Sequence, residues 1–204
     1  MLIASEIEPV VPGIFLWRVY DPAVKADLFS TAIETDNGTF LVDPVFLARD
    51  ALAWLRAQEG VAGIIVTNEN HMRAAASFSD QCDVPIFVHP SLVDVMTLPR
   101  MQPIRDREAL APGLTAVEID GGPMGEITIH CDADNGTLVI GDALINFEPY
   151  GFALLPPKYC SNAKVMRRSL PKLLNYNFQR MLFAHGTPIL TAARDRLEQL
   201  LSQR

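Results

Sequence analysis

A short polar loop holds most of the side chains of this chain that could do chemistry. It lies between residues 61–66, whose apolar pattern predicts a strand, and residues 73–81, which predict a helix. Its candidate binding residues are Asn68, Glu69, Asn70, His71 and Arg73. Imidazole and carboxylate groups hold zinc in proteins, whereas asparagine is a poor ligand and arginine repels a cation. This mixture favours a pocket for a small polar or anionic ligand over a dedicated metal site.

Composition and charge narrow the class of protein. The chain has 204 residues, of which 49% are apolar and 20% charged, as expected for a globular protein of one domain. A formal net charge of −7 argues against nucleic acid as a partner, because phosphate binding needs a basic surface. No apolar run approaches the roughly 18 residues of a membrane span, so we expect no membrane association.

The cysteines and the N-terminus indicate the compartment. Three cysteines at wide spacing (Cys82, Cys131 and Cys160) favour reduced thiols over a disulfide framework. The first residues carry early acids and no basic segment, which is unlike a signal peptide. We therefore expect a cytoplasmic protein.

Strand and helix patterns occur in both halves of the chain, with an Asx-Gly hairpin signal in each half, at residues 36–38 and 134–136. Strands are predicted at residues 13–20, 27–34, 39–42, 61–66, 84–88, 115–119, 126–131, 137–140 and 180–184. Helices are predicted at residues 47–58, 73–81, 91–98, 163–174 (broken near Pro171) and 191–202, with residues 101–113 irregular. This order suggests helices packed on the outer faces of two stacked sheets.

Five motifs follow one another in the order seen in the metallo-β-lactamase superfamily. They are the turn and strand that end at Asp43, the loop at residues 67–73, the turn at residues 121–126, Gly141-Asp142-Ala143-Leu144, and Ala184-His185-Gly186. The chain resembles that superfamily over nearly its whole length. The resemblance implies an α/β (α+β) fold, a four-layer αββα sandwich, as a single domain over residues 1–204.

The zinc ligands that the resemblance implies are mostly replaced. Thr67 is kept, but the positions of the family's ligands in this loop hold Asn68, Asn70, Met72 and Arg73, and the position in the next turn holds Pro123 or a neighbour. Only Asp142 and His185 keep ligand side chains at the matching positions. We therefore expect no dinuclear zinc site and no cofactor, although zinc at a remnant site stays possible.

An alternative metal site depends on His71. This residue lies one position out of register with the family's ligands. We expect it to lie near the helix N-terminus and to point outward or cap locally. If the loop instead shifts by one residue, His71, Asp142 and His185 form a three-ligand metal site, with Glu69 as general base.

Arg73 replaces a family ligand with a permanent cation. A carboxylate that loses its metal needs a positive neighbour, because an unpaired buried charge is costly. A guanidinium fork suits a carboxylate. We therefore expect Arg73 to pair with Asp142, either directly or through one water.

Three hypotheses for the function remain open. The favoured one is a metal-independent or non-catalytic member of the fold that binds a small polar or anionic ligand in the former active-site pocket. The second is a divergent mononuclear metal-dependent hydrolase. The third is a structural or interaction protein whose pocket is filled by side chains.

Overall fold

The structure is a computed structural model, and it describes residues 2–56, 60–147 and 149–203. The strands are β1 Ile3–Ala4, β2 Glu8–Val11, β3 Ile14–Asp21, β4 Ala26–Thr35, β5 Gly38–Val42, β6 Phe46–Leu47, β7 Val61–Ile65, β8 Ile86–Val88, β9 Met101–Pro103, β10 Ala109–Ala111, β11 Leu114–Glu118, β12 Ile127–Cys131, β13 Thr137–Ile140, β14 Leu144–Phe147, β15 Gly151–Leu154 and β16 Arg180–Phe183. The helices are α1 Arg49–Arg56, α2 Ala75–Cys82, α3 Ala163–Ser169 and α4 Ala193–Ser202, with 3₁₀ turns at Pro90–Leu92, Pro157–Tyr159 and Leu170–Asn175.

Two large sheets form the centre of the molecule. Seven strands pair in the order β2-β3-β4-β5-β7-β8-β9, and five pair in the order β10-β11-β12-β13-β16. The first strands of each sheet are antiparallel, whereas β5, β7, β8 and β9 run parallel to one another, as do β13 and β16. Two-stranded pairs, β1 with β6 and β14 with β15, lie beside them.

The apolar side chains separate into three layers, as the alternation along each strand requires. Between the sheets, residues such as Phe40 and Ile65 of the large sheet pack with Ile129 and Leu182 of the smaller one. The opposite face of the large sheet packs on α1 and α2, and that of the smaller sheet on α3 and α4. The expected αββα four-layer sandwich is confirmed.

Both hairpin signals are turns in the structure. Asp36 and Asn37 connect β4 to β5, and Gly38 has a positive φ of 104°. Between β12 and β13 the chain turns through three consecutive left-handed residues at 134–136, a conformation that Asp, Asn and Gly tolerate best.

The sequence pattern failed mainly where elements are short. Residues 91–98 form no α-helix but a 3₁₀ turn at Pro90–Leu92, and residues 101–113 contain β9 and β10 where an irregular segment was expected. The pair β14 and β15 was missed. Pro171 does end the regular part of α3, which continues as a 3₁₀ turn. The predicted helix at 47–58 is observed from Arg49 to Arg56, and its last two residues lie outside the described part. No helix in the described part of the chain is long and apolar enough to cross a membrane.

The topology brings four strand ends to one edge of the sandwich. Asp43 follows β5 and Thr67 lies two residues after β7, while Asp142 follows β13 and His185 follows β16. Since parallel strands end at the same edge of a sheet, the two sheets together place these polar residues around a common point.

Candidate metal centre

His71 lies inside the site and does not point outward as expected. Its side chain is 2% exposed. The loop folds back on itself because the backbone N–H of His71 donates to Asn68 O over 3.1 Å and that of Asn70 donates to Asn68 Oδ1 over 2.9 Å. These two bonds turn the His71 imidazole toward the strand ends. The expectation that His71 caps the helix or faces solvent was wrong, and the shifted-register alternative describes its position.

Three potential metal ligands converge at this point. His71 Nε2 lies 3.3 Å from His185 Nε2 and 3.4 Å from Asp142 Oδ1, and His185 Nε2 lies 3.5 Å from the same oxygen. Among the described residues, His71, Asp142 and His185 are the one group of three such side chains found close enough to share an ion. The three atoms form a nearly equilateral triangle.

The second imidazole nitrogen of His71 is held by the strand end opposite. Nδ1 lies 2.9 Å from Asp43 Oδ2 and 2.8 Å from Thr67 Oγ1, and the Thr67 hydroxyl donates to Asp43 Oδ2 over 2.5 Å. The backbone N–H of Thr67 donates to the other Asp43 oxygen. A carboxylate that accepts from Nδ1 fixes the ring and leaves Nε2 to face a metal.

The charged groups in the site shift one another's pKa values. Burial alone would lower the pKa of His71, but the carboxylates of Asp142 and Asp43 outweigh burial and raise that pKa to about 9. Burial and the neighbouring His71 charge lower the pKa of His185 to about 4. Burial alone would raise the pKa of Asp142 and of Asp43, but His71 holds both below their usual range. At neutral pH the His185 imidazole is therefore uncharged, and the His71 imidazole is protonated.

Asp142 is positioned by two residues from other parts of the chain. Glu126 Oε1 accepts from the backbone N–H groups of Asp142 and Ala143, each over 2.8 Å. Asn68 Nδ2 donates to Glu126 Oε2 over 2.7 Å and to Asp142 Oδ2 over 3.2 Å. Burial, followed by the charge of Asp142, raises the pKa of Glu126 to about 8. Because Oδ2 of Asp142 is bound to Asn68, Oδ1 is the oxygen that faces the two histidines.

Two glycines are needed for this packing. A Cβ on Gly141 would lie 2.8 Å from both Thr67 Oγ1 and Glu126 Oε1. Gly186 has a positive φ of 108°, and a Cβ there would lie 2.2 Å from Asn146 O. The glycines beside Asp142 and His185 thus let the two strand ends approach the loop at residues 67–73.

Arg73 does not pair directly with Asp142. Its Nη1 donates to Phe29 O and to Asp43 O, the latter over 2.9 Å, and its Nη2 donates to Ala184 O over 3.4 Å. Arg73 has a positive φ of 38°, which turns its side chain toward these carbonyls. The nearest cationic partner of Asp142 is His71 instead. The expectation of a direct Arg73–Asp142 salt bridge was therefore wrong, and Arg73 binds backbone carbonyls around the site.

The three potential ligands do not include the other candidate residues of the loop, which are Asn68, Glu69 and Asn70. Asn68 is buried, as described above, whereas Asn70 is exposed and lines the cavity next to the site. Glu69 is exposed, and its Oε1 accepts from the backbone N–H of Met124 over 3.2 Å. This bond ties Glu69 to the turn at 121–126, so the side chain is not directed at the three ligands as a general base.

A cavity of about 1100 Å³ opens beside the three potential ligands. His71, Asp142 and His185 line it, together with Arg73 and Pro123. Pro123 stands at or beside the position where the resemblance places a histidine ligand, and it adds an apolar side chain to the lining.

Sequence reasoning left three residues out of the candidate site: Asp43, Thr67 and Glu126. Asp43 follows the buried strand β5, and Glu126 directly precedes β12, whose five residues are all buried. A buried carboxylate costs free energy unless it is hydrogen-bonded or paired with a cation. The position of both residues next to fully buried strands could therefore have identified them as site candidates.

The arrangement fits one metal ion and not two. Zinc bound tetrahedrally by nitrogen and oxygen at about 2.0–2.1 Å separates its ligand atoms by about 3.3–3.4 Å. The observed separations of 3.3, 3.4 and 3.5 Å match this spacing. The described residues contain no second group of three such ligands. The amide of Asn68 and the guanidinium of Arg73 stand where further ligands would be needed.

Comparison with known proteins places the fold in a family. A family model described as the metallo-beta-lactamase superfamily matches residues 9–203. The chain therefore belongs to the metallo-beta-lactamase superfamily. A search of curated proteins gives no match.

Solved structures agree on the fold. The DIM-1 metallo-beta-lactamase has a TM-score of 0.78 at 16% identity, with 98% of each chain covered. A metallo-beta-lactamase from Pontibacter korlensis has a TM-score of 0.76 at 13% identity, with 100% of each chain covered. A metallo-beta-lactamase family protein from Thermus thermophilus has a TM-score of 0.69 at 21% identity, covering 95% of this chain and 80% of that one. At these identities the likeness concerns the fold alone.

Proposed function

We propose that this protein is a divergent mononuclear metal-dependent hydrolase, with one zinc or similar divalent ion held by His71, Asp142 and His185. The observation that carries the proposal is the triangle of ligand atoms, whose sides of 3.3–3.5 Å match three corners of a zinc tetrahedron. The same three residues line a cavity of about 1100 Å³. Three protein ligands with one open position are typical of catalytic zinc and not of structural zinc.

The protein's own residues prepare this site in three ways. Asp43 and Thr67 orient the imidazole of His71, so that Nε2 is the free nitrogen. Glu126 and Asn68 hold Asp142 by its backbone and by one oxygen. Pro123, Val45 and Ile145 give apolar side chains to the cavity that the three ligands line. A bound ion supplies Lewis-acid chemistry and lowers the pKa of a water at its open position.

A second candidate is supported by a different observation. His71 lies between the carboxylates of Asp43 and Asp142, at 2.9 and 3.4 Å, so a protonated imidazole fills the place of a cation. In that case the protein is a metal-independent member of the family that binds a ligand in the cavity. The third hypothesis, a structural protein with a filled pocket, is disfavoured by the size of the cavity.

The two candidates differ in a direct test of hydrolysis. Metal-stripped protein is assayed with p-nitrophenyl acetate before and after one equivalent of zinc. We expect activity to appear with zinc and to fall at least a hundredfold in His185→Ala. The matched control is His89→Ala, since His89 bonds to Ser91 and Glu118 outside the site. Activity that is equal with and without zinc, or equal in both variants, contradicts the hydrolase proposal.

Zinc affinity should rise with pH in a defined window. The pKa of His71 is raised to about 9, so below that pH a proton occupies the imidazole and must leave before Nε2 binds an ion. One displaced proton per ion gives about a tenfold gain in affinity per pH unit below about pH 9. Calorimetric titrations at pH 6.5, 7.2 and 8.0, in buffers of different ionisation enthalpy, measure both the affinity and the released proton. An affinity that is flat over this range contradicts the assignment of His71.

A further inference from the structure

The walls of the cavity are apolar over most of their surface. Its buried wall is formed by Val45, Ile145 and Leu155, each at most 8% exposed. At the opening lie three apolar or aromatic side chains that are exposed to solvent, Val24 at 58%, Tyr150 at 53% and Tyr159 at 57%. An apolar surface therefore continues from the buried wall to the outside, and it lies beside the three metal ligands.

The charged groups of this cavity offer little to an anion. Both terminal nitrogens of Arg73 already donate to main-chain carbonyls, so these donors are used within the protein. Of the remaining described lining residues, Lys25 is exposed and lies in the same loop as Asp21, whose charge is opposite. His71 is the other cation of the lining, but it lies between the carboxylates of Asp43 and Asp142, at 2.9 and 3.4 Å, which match its charge.

We propose that the site takes an uncharged carboxylic ester or amide with an apolar body, and that it discriminates against phosphate esters. The inference rests on the proposed function for the hydrolysed bond, and on the cavity walls for the rest. The carbonyl lies at the triangle of His71, Asp142 and His185, and the apolar body extends along Ile145 and Leu155 toward Tyr159. The substrate class differs from the polar or anionic ligand that the loop residues alone indicated.

The reaction in this orientation is an ordinary hydrolysis. The oxygen of a water forms a bond to the carbonyl carbon, and the bond from that carbon to the leaving alcohol or amine breaks. One proton of the water passes to the leaving group, and the other stays on the acid product or passes to solvent. No oxidant, reductant or further reactant is needed.

Ligand binding can be measured independently of catalysis. Nile red is an uncharged apolar dye whose fluorescence increases when it enters an apolar site, and competitors displace it. Because each buried methylene is worth about fourfold in affinity, 1-octanol should displace the dye at a concentration at least tenfold below that of 1-butanol. Octyl phosphate has the same chain with an anionic head, and it should need at least a tenfold higher concentration than 1-octanol.

Variants at the opening test whether the dye reports this cavity. Val24→Glu and Tyr159→Glu change exposed side chains, so neither is expected to disturb folding. Each should weaken Nile red binding at least fivefold. Val95→Glu is the matched control, because Val95 is 61% exposed and lies away from the cavity lining. Binding that is equally weak in Val95→Glu, or unchanged in the other two, overturns the proposed location.

The catalytic part of the inference is tested with zinc-loaded protein and p-nitrophenyl substrates. We expect kcat/KM to rise at least tenfold from the acetate to the octanoate ester, with p-nitrophenyl phosphate turned over at least a hundredfold more slowly than the octanoate. If octyl phosphate displaces the dye as well as 1-octanol, the substrate class is overturned whether or not any ester is cleaved. If the displacement pattern holds and no ester is cleaved, the proposed hydrolase function fails and the uncharged apolar ligand stands.

Discussion

Replacing Asp142 with asparagine is expected to weaken zinc binding at least a hundredfold. The substitution keeps the shape of the side chain and an acceptor for Asn68, but it removes the charge and the ligand oxygen that faces the two histidines. A neutral amide is a poor zinc ligand. The measurement is a calorimetric or chelator-competition titration of metal-stripped protein. Esterase activity, where zinc supports it, should fall with the affinity.

The control for this variant is Asp120→Asn. Asp120 also accepts hydrogen bonds from other elements, from Ser169 and Lys172, and its side chain is 49% exposed outside the cavity. Its zinc affinity should stay within twofold of the wild type. Equal losses in the two variants would point to a general effect of charge, and an unchanged Asp142→Asn would remove Asp142 from the site.

The second large effect that we expect is a loss of folding stability in the Arg73→Met variant. This change leaves the carbonyls of Phe29, Asp43 and Ala184 without their charged donor, in a place where Asp43 and Asp142 also lose a nearby positive charge. Lost hydrogen bonds to a charged donor cost about 1.5–3 kcal/mol each, partly offset because Asp43 O and Ala184 O accept other bonds. We expect the free energy of unfolding to fall by at least about 2 kcal/mol in a denaturant titration.

The comparison variant for Arg73→Met is Arg18→Met. Arg18 pairs with Asp27 over 3.2 Å on the surface, with its side chain 57% exposed, and such pairs contribute less than about 1 kcal/mol. Arg73→Lys should fall between the two, because one ammonium cannot replace a planar fork that reaches three carbonyls. An Arg73→Met protein as stable as Arg18→Met shows that Arg73 is an ordinary surface cation.

The layered fold was predictable because strand and helix periodicity are local. Residues 137–140 are a short run of β-branched and apolar residues that ends at Gly141, and β13 has those same bounds. The order of the five motifs then predicted which strand ends lie together. Asp142 and His185 were therefore placed together correctly. Short elements such as β9 and β10 were not predictable, because three-residue strands carry too little periodicity.

The orientations of side chains within the loop at residues 67–73 were the part that the sequence could not provide. His71 turns inward because of hydrogen bonds within the loop and a carboxylate 28 residues away. Arg73 donates to three carbonyls from other elements and not to Asp142. Glu126 is joined to Asn68 across 58 residues. Each of these depends on tertiary neighbours and not on residue type or spacing.

The most direct test of a mononuclear centre is a cobalt(II) titration of the metal-stripped protein, followed by visible absorption. Cobalt(II) replaces zinc in such sites, and its d–d bands are strong in four-coordinate geometry and weak in six-coordinate geometry. We predict strong bands that rise linearly to one equivalent, stop there, and are absent from His71→Ala, with His130→Ala unchanged because His130 binds the Asn177 carbonyl elsewhere. Bands that are absent, that continue to two equivalents, or that persist in His71→Ala contradict one ion held by His71, Asp142 and His185.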